Sequence, residues 1–415
     1  MAELPPAVGL HYREMAVLQS TALAAGRRAW RGITPARLSE SWTELLTPLE
    51  RTIRATQESA ALEGAAYGAL TLAQQGVYEP PQAFANPKAW SQGHAPDGRA
   101  LAGLLYSPIT AVKSRIAGGM PVSVALAQGR KHLDTFLTTI VADAGRQAAS
   151  VDIAARSDVG WVRMVSPGAC SRCLILAGRW FRYNEGFLRH PKCMCTHVMT
   201  KAGSLEMAKE AGLVDDPYEH FRSLSDAEQN RIYGEFDAQA IRDGGDIYQV
   251  VNARRGRNGL TTSEGTSRRG NARRTGAERG QRLTPEGIYR QTTSQEQALQ
   301  LLERNGYILP GGQQPGGVLR GTAEGWGALG RGGTRVGARG AAERARTTGV
   351  RDPASRYTMT EAERRLTDSR LRWDAVRQGR NPYSRDGRGL TPDIAATVET
   401  DYRRWLASGG QIFTR

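Results

Sequence analysis

Lysine is scarce in this chain of 415 residues, which holds 6 Lys against 50 Arg and carries a formal net charge of +15. Nearly all of the positive charge therefore sits on planar guanidinium groups, which pair bidentately with phosphate and carboxylate. A genome rich in G and C produces the same bias, so the excess of Arg alone names no ligand. No run of 18 apolar residues occurs, which argues against a membrane-spanning helix. Met1 to Leu10 lacks the basic stretch, apolar stretch and small-residue cleavage site of a secretory signal, so the chain is expected in the cytoplasm or in something assembled there. Cysteine is confined to four residues, all between Cys170 and Cys195. A long chain in a reducing compartment rarely spends its cysteines on one tight disulfide pair, and a metal suits such clustering better. There is no P-loop and no G-x-S-x-G elbow, which leaves nucleotide hydrolysis and an ordinary hydrolase unsupported.

What is present is enough apolar material for a real core: 40% hydrophobic residues and eight Trp, on a length that allows two or three domains. From Thr34 to about Gln75, Leu38, Trp42, Leu45, Leu49 and Ile53 recur at spacings of three and four. With Thr34 able to cap and Pro35 at the first helical position, this predicts one long amphipathic helix. After the break at Pro80, Pro81 and Pro87, a second stripe runs through Leu133, Phe136, Leu137, Ile140, Val141 and Ala144, so residues 1–150 read as a helical unit whose stripes are packing faces. Gly160 to Val165 and His197 to Met199 read as strands, giving a compact mixed unit over 151–256. Within it, Ser225 and Glu228 form a capping box that opens a helix through about Ile241, and Asp246 is placed to cap a short helix through Asn252. The fold class expected is α+β and mostly helical.

Between Val251 and Val350 there are 17 Arg, no Lys, 7 acidic residues and 21 Gly. Thr284 to Leu309 can form one helix, but the Gly/Arg-rich run from Gly311 to Gly340 cannot bury enough apolar surface to offset its ordering entropy, so 257–350 is expected to be largely flexible. Arg254, Arg255, Arg257, Arg268, Arg269, Arg273 and Arg274 make a basic track with almost no aromatic interleaving, which suits phosphate contact without base readout. A solvated or partner-facing charge run fits the same residues. In 351–415, Thr360 with Glu363 and Thr391 with Pro392 mark two helix starts, and the helices carry Leu366, Trp373, Trp405 and Leu406.

The strongest local signal is Cys170-Ser-Arg-Cys173 followed, 19 residues later, by Cys193-Met-Cys195, with His190 and His197 beside the second pair. In C-x2-C the chain turns back so that both thiolates reach one ion. In C-x-C an extended backbone puts Cys193, Cys195 and His197 on one side. The reading is a structural zinc held by Cys170, Cys173, Cys193 and Cys195, because a closed four-thiolate shell leaves no open position for water. Free thiols in a small core, or a catalytic Cys170 or Cys173 activated by His190, are the alternatives.

Several segments resemble the MuF-like minor head proteins of tailed phages, particularly those infecting actinobacteria. They are Val162-Arg-Met164, Cys170 to Gly178, Phe187 to Cys195, Gln239 to Gly244 and Val250-Val-Asn-Ala-Arg-Arg-Gly256. The likeness spans about Leu38 to Leu309. It implies a head-morphogenesis domain at 151–256 and a minor structural protein present in a few copies inside the phage head, made in the host cytoplasm. The implied partners are the portal protein, the major capsid protein and packaged double-stranded DNA, with no membrane. Proteins that look like this one are also labelled capsid maturation proteases. The six histidines, His11, His94, His132, His190, His197 and His220, fall in no motif of a serine protease, and the Arg, Ser-Thr-Ser and Glu-x-Glu set of an ADP-ribosyltransferase does not appear. A zinc-containing nucleic-acid module or nuclease is a third reading.

Overall fold

A computed structural model of the protein describes residues 5–165, 169–184, 195–203, 205–211, 213, 217–242, 247, 251, 291–304, 361–384 and 388–408. Four helices form the body: α1 (Pro6–Arg31), α2 (Leu38–Gln74), α3 (Leu101–Ala117) and α4 (Val122–Ala154). Both predicted stripes are packing faces. Trp42, Leu49 and Ile53 of α2 meet Leu133, Leu137, Ile140 and Val141 of α4 in one buried cluster, and Leu38 and Leu45 lie partly buried at its margin. Burial of each such side chain is worth about 1.5–3 kcal/mol. The start of α2 differs in detail: Pro35–Arg37 is a 3-10 turn, and Thr34 donates its backbone N–H to the Ser41 hydroxyl rather than capping with its own side chain.

The close approach of α2 to α4 depends on two glycines. A Cβ on Gly64 would stand 2.0 Å from the carbonyl oxygen of Gly145, so no side chain fits there without moving a helix. This places the middle of α4 against α2 and brings Arg146, Asp152 and Arg156 to the side of the body where the remaining elements dock.

A three-stranded antiparallel sheet follows, formed by β1 (Gly160–Val165), β2 (Arg179–Phe181) and β3 (Cys195–Thr200) in the order β2-β1-β3. The register pairs Trp161 with Met199, Arg163 with His197 and Val165 with Cys195. All six residues of β1 and of β3 are buried because the sheet is covered on both faces. Trp161 and Met199 pack on Leu72 of α2 and Ile153 of α4, while Val162, Met164 and Val198 join Val8 of α1 and Leu213. Between β1 and β2 stands a single helical turn, α5 (Ser171–Leu174); short helices α6 (Leu205–Glu210), α7 (Pro217–Ser223), α8 (Asp226–Tyr233) and α9 (Glu235–Arg242) follow β3. The capping box predicted at Ser225 and Glu228 is present in both directions. The helix it opens stops earlier than predicted: Gly234, at φ +92°, ends α8, and α9 starts afresh.

Beyond these lie α10 (Gln295–Arg304), α11 (Glu361–Arg377) and α12 (Pro392–Ser408). Gln295 donates to the carbonyls of Ala154 and Arg156, tying α10 to the end of α4. α12 lies along α2, where Ala396 meets Ala69 and Ala73, and Trp373 of α11 and Tyr402 of α12 enclose Phe84. Leu366, Trp373 and Leu406 are buried as their spacing predicts, and Trp405 is partly buried. The architecture is thus mostly helical with one small sheet, an α+β fold. Among the described residues no helix is long and apolar enough to cross a membrane.

Candidate functional site

The first cysteine pair sits where β1 gives way to α5. Cys170 is extended at the start of that turn, and the N–H of Cys173 returns to the Cys170 carbonyl at 2.9 Å, folding the two side chains to one side. Their sulfurs are 3.8 Å apart. Two thiolates bound at about 2.3 Å to one tetrahedral zinc stand at nearly that separation, so this half of the four-cysteine set fits the ion it was assigned. Cys173 is buried and Cys170 exposed. The segment then turns at Gly178, whose φ of +72° favours glycine and whose N–H donates to the Arg163 carbonyl at 2.7 Å. That bond returns the chain beside β1 as β2.

The second pair is represented by Cys195, the first residue of β3, which lies in the same buried cluster as Cys173. Cys193 and His190 fall outside the described residues, as do Arg254, Arg255, Arg257, Arg268, Arg269, Arg273 and Arg274 of the basic track. Among the described residues no three His, Cys, Asp or Glu side chains are grouped to hold a metal. Cys195 and His197 share one face of β3 with Arg163 opposite. The Arg163 guanidinium donates to the Cys195 sulfur from Nε at 3.1 Å and from Nη2 at 2.9 Å. The His197 ring stands edge-on to Trp161 with centroids 4.1 Å apart.

The outer edge of β3 is closed by side chains of the helical body. Tyr67 donates its hydroxyl to the His197 carbonyl, Gln75 donates to the Met199 carbonyl at 2.7 Å, and Arg146 donates Nε to the Cys195 carbonyl at 3.0 Å. Three alternate carbonyls on one strand edge are thereby satisfied from α2 and α4, covering an edge that would otherwise offer itself to another strand. Burial drives the Tyr67 phenol far above its usual range, with the nearby Glu63 charge adding to the effect, so it is a neutral donor at any physiological pH. His11 of α1 stacks on the Tyr67 ring at 3.9 Å and places Nδ1 3.5 Å from Glu63. A cleft of about 70 Å³ opens here, lined by His11, Tyr12, Met15, Tyr67, Arg146 and His197 among others. Its phenol and guanidinium are engaged in holding the strand, which makes the region a clamp.

None of the clamp residues was singled out by motif. Tyr67, Gln75 and Arg146 act through backbone carbonyls more than 45 positions away, a relation that leaves no local pattern. Arg163 did carry a signal, a charge in the middle of an otherwise apolar strand, which calls for a buried partner.

The helical body, its clamped sheet and the cysteine turn define a mostly helical α+β protein with a structural, cysteine-bearing centre. The chain belongs to the VG15 protein family, whose model matches residues 11–224, from within α1 to just past α7. That family is one of viral, phage-genome proteins and points to a phage protein. No curated protein and no solved structure matches the chain.

Proposed function

We propose that this protein is a MuF-like minor structural protein of a phage head, acting in head morphogenesis through contacts with the portal and major capsid proteins. The observation that carries the reading is the clamp: the cysteine-bearing sheet is hydrogen-bonded along its edge to the long helices, so the centre stiffens a scaffold. Family membership supports the phage setting, and the long helices offer extended surfaces suited to protein contact. In this reading Cys170, Cys173, Cys193 and Cys195 hold a structural zinc with His190 and His197 close by, and the ion supplies cross-linking between the turn after β1 and the start of β3. The Arg track at Arg254, Arg255, Arg257, Arg268, Arg269, Arg273 and Arg274 contacts packaged double-stranded DNA through phosphate.

Co-expression with the portal and major capsid proteins of the same phage tests this. The expected result is co-purification with portal, an intact major capsid protein and presence of this chain in purified heads by mass spectrometry. Trimming of the capsid protein only when this chain is present would replace the structural role with a protease, and absence from heads would remove it altogether.

A further inference from the structure

We propose that Arg163 is the counter-ion and positioning residue of the zinc centre, an inference that rests on the four-cysteine reading above. A zinc ion in four thiolates is a dianion, and placing it among Val165, Leu174, Ile175 and Phe221 costs several kcal/mol unless opposite charge accompanies it. Arg163 supplies that charge. It is 2% exposed, Cys195 is 3% exposed, and two N–H groups of one fork converge on a single sulfur. A neutral thiol is a weak acceptor, whereas a thiolate suits two charged donors.

The same residue ties the two cysteine pairs together. Its side chain holds Cys195, while its backbone carbonyl accepts from Gly178, which closes the turn that starts at Cys170 and Cys173. Its place in the register, opposite His197 and two residues before Val165, the partner of Cys195, puts the guanidinium on the face where the second pair begins. Arg163 therefore orients one ligand directly and the other pair through the main chain, the arrangement by which outer groups set a metal site. Lysine cannot reproduce it, since an ammonium has no fixed fork.

The test uses the full-length protein and two variants, Arg163→Met and Arg163→Lys. Zinc content, the rate of zinc transfer to a coloured chelator and the thiolate-to-metal absorption band of the cobalt-substituted protein are measured. Wild type is expected to hold one zinc per chain. Arg163→Met should release it about 10- to 100-fold faster, the usual cost of losing an outer partner, and shift the cobalt band to lower energy as the sulfur loses its hydrogen bonds. Arg163→Lys, which keeps charge and loses the fork, should fall between the two and decides the matter if Arg163→Met does not fold. Folded variants that match wild type in release rate and band position would overturn the role of Arg163 alone. A wild-type protein without zinc, purified under reducing, chelator-free conditions, would instead overturn the zinc reading on which it rests.

Discussion

Arg156 and Arg163 are both fully buried and close in sequence, yet they meet opposite partners. Arg156, just past the end of α4, faces oxygen: it pairs with Asp152 at 3.1 Å and with Glu399 of α12, and donates to the Glu79 carbonyl. Arg403 completes the group by pairing with Glu399 at 2.9 Å and with Asp152, and the Tyr78 hydroxyl donates to Glu399 at 2.7 Å. Two carboxylates and two guanidinium groups cancel in charge and satisfy one another. Arg163 instead turns its fork onto sulfur. The first arrangement is a closed ionic staple that sets where the C-terminal helix docks on the body. The second leaves the charge of a cysteine centre to be completed by an ion. Buried charge is costly in both places, and the difference lies in whether the chain alone can balance it.

The comparison predicts that the two sites respond to different agents. The largest effect should come from removing zinc at neutral pH, because binding energies on the order of 10 kcal/mol for structural zinc are part of folding energy. Chelation, or Cys193→Ser, is expected to raise amide exchange across β1, α5 and β3 while α12 stays protected. Equal loss of protection in both regions would show that the sites are not separate.

Next in size is Arg156→Met, which leaves Asp152 and Glu399 to share Arg403. A buried carboxylate without its partner costs about 3–5 kcal/mol, so the urea midpoint should fall and exchange should rise first in α12. Replacing all four charged residues by apolar ones of similar size should cost far less, because no orphan charge remains. If the fourfold variant is as unstable as Arg156→Met, the staple does more than balance charge.

Tyr67→Phe should cost about 1–3 kcal/mol, since the His197 carbonyl loses its donor inside the protein. This substitution probes the clamp beside the sulfur site without touching a cysteine. Unchanged stability by urea unfolding would mean that the clamp is held by packing alone.

The long elements and the cysteine turn were legible in sequence, and the two buried charge sites were not. Apolar spacing reports helices such as α2 and α4 because a stripe that packs must recur every three or four residues. The alternate-residue pattern is missing from β1, yet its short apolar run between turn signals marks the strand. Asp152 with Arg156, and Glu399 with Arg403, show the four-residue spacing of ordinary solvated ion pairs on a helix surface. Only the docking of α12 on α2 turns both pairs inward and faces them to each other, a contact across more than 240 positions. The pairing of Arg163 with Cys195 depends likewise on strand register, which the long gap between β1 and β3 conceals. The helix break at Gly234 was missed because an isolated glycine is tolerated in a helix, and its positive φ is set by how α9 packs.

The smallest effect concerns acid and isolates the carboxylate side of the comparison. Burial by itself would raise the Glu399 carboxyl. The guanidinium of Arg156, then that of Arg403, with hydrogen bonds from Arg156 and Tyr78, more than offset this and hold it below its usual value of 4.5. A folded-state value below the unfolded one means that the contribution is complete above about 4.5 and is lost as pH falls through the lower, folded value. Each unit of depression is worth about 1.4 kcal/mol. Glu399→Gln should therefore be less stable than wild type near neutrality, and the gap should narrow steadily as pH is lowered below 4.5, read as urea midpoints at matched pH. Glutamine keeps an oxygen for Tyr78 and gives up only the charge, so a gap that stayed constant through this range would mean that Glu399 stabilises α12 by shape and hydrogen bonding, and that the staple's ionic character contributes nothing.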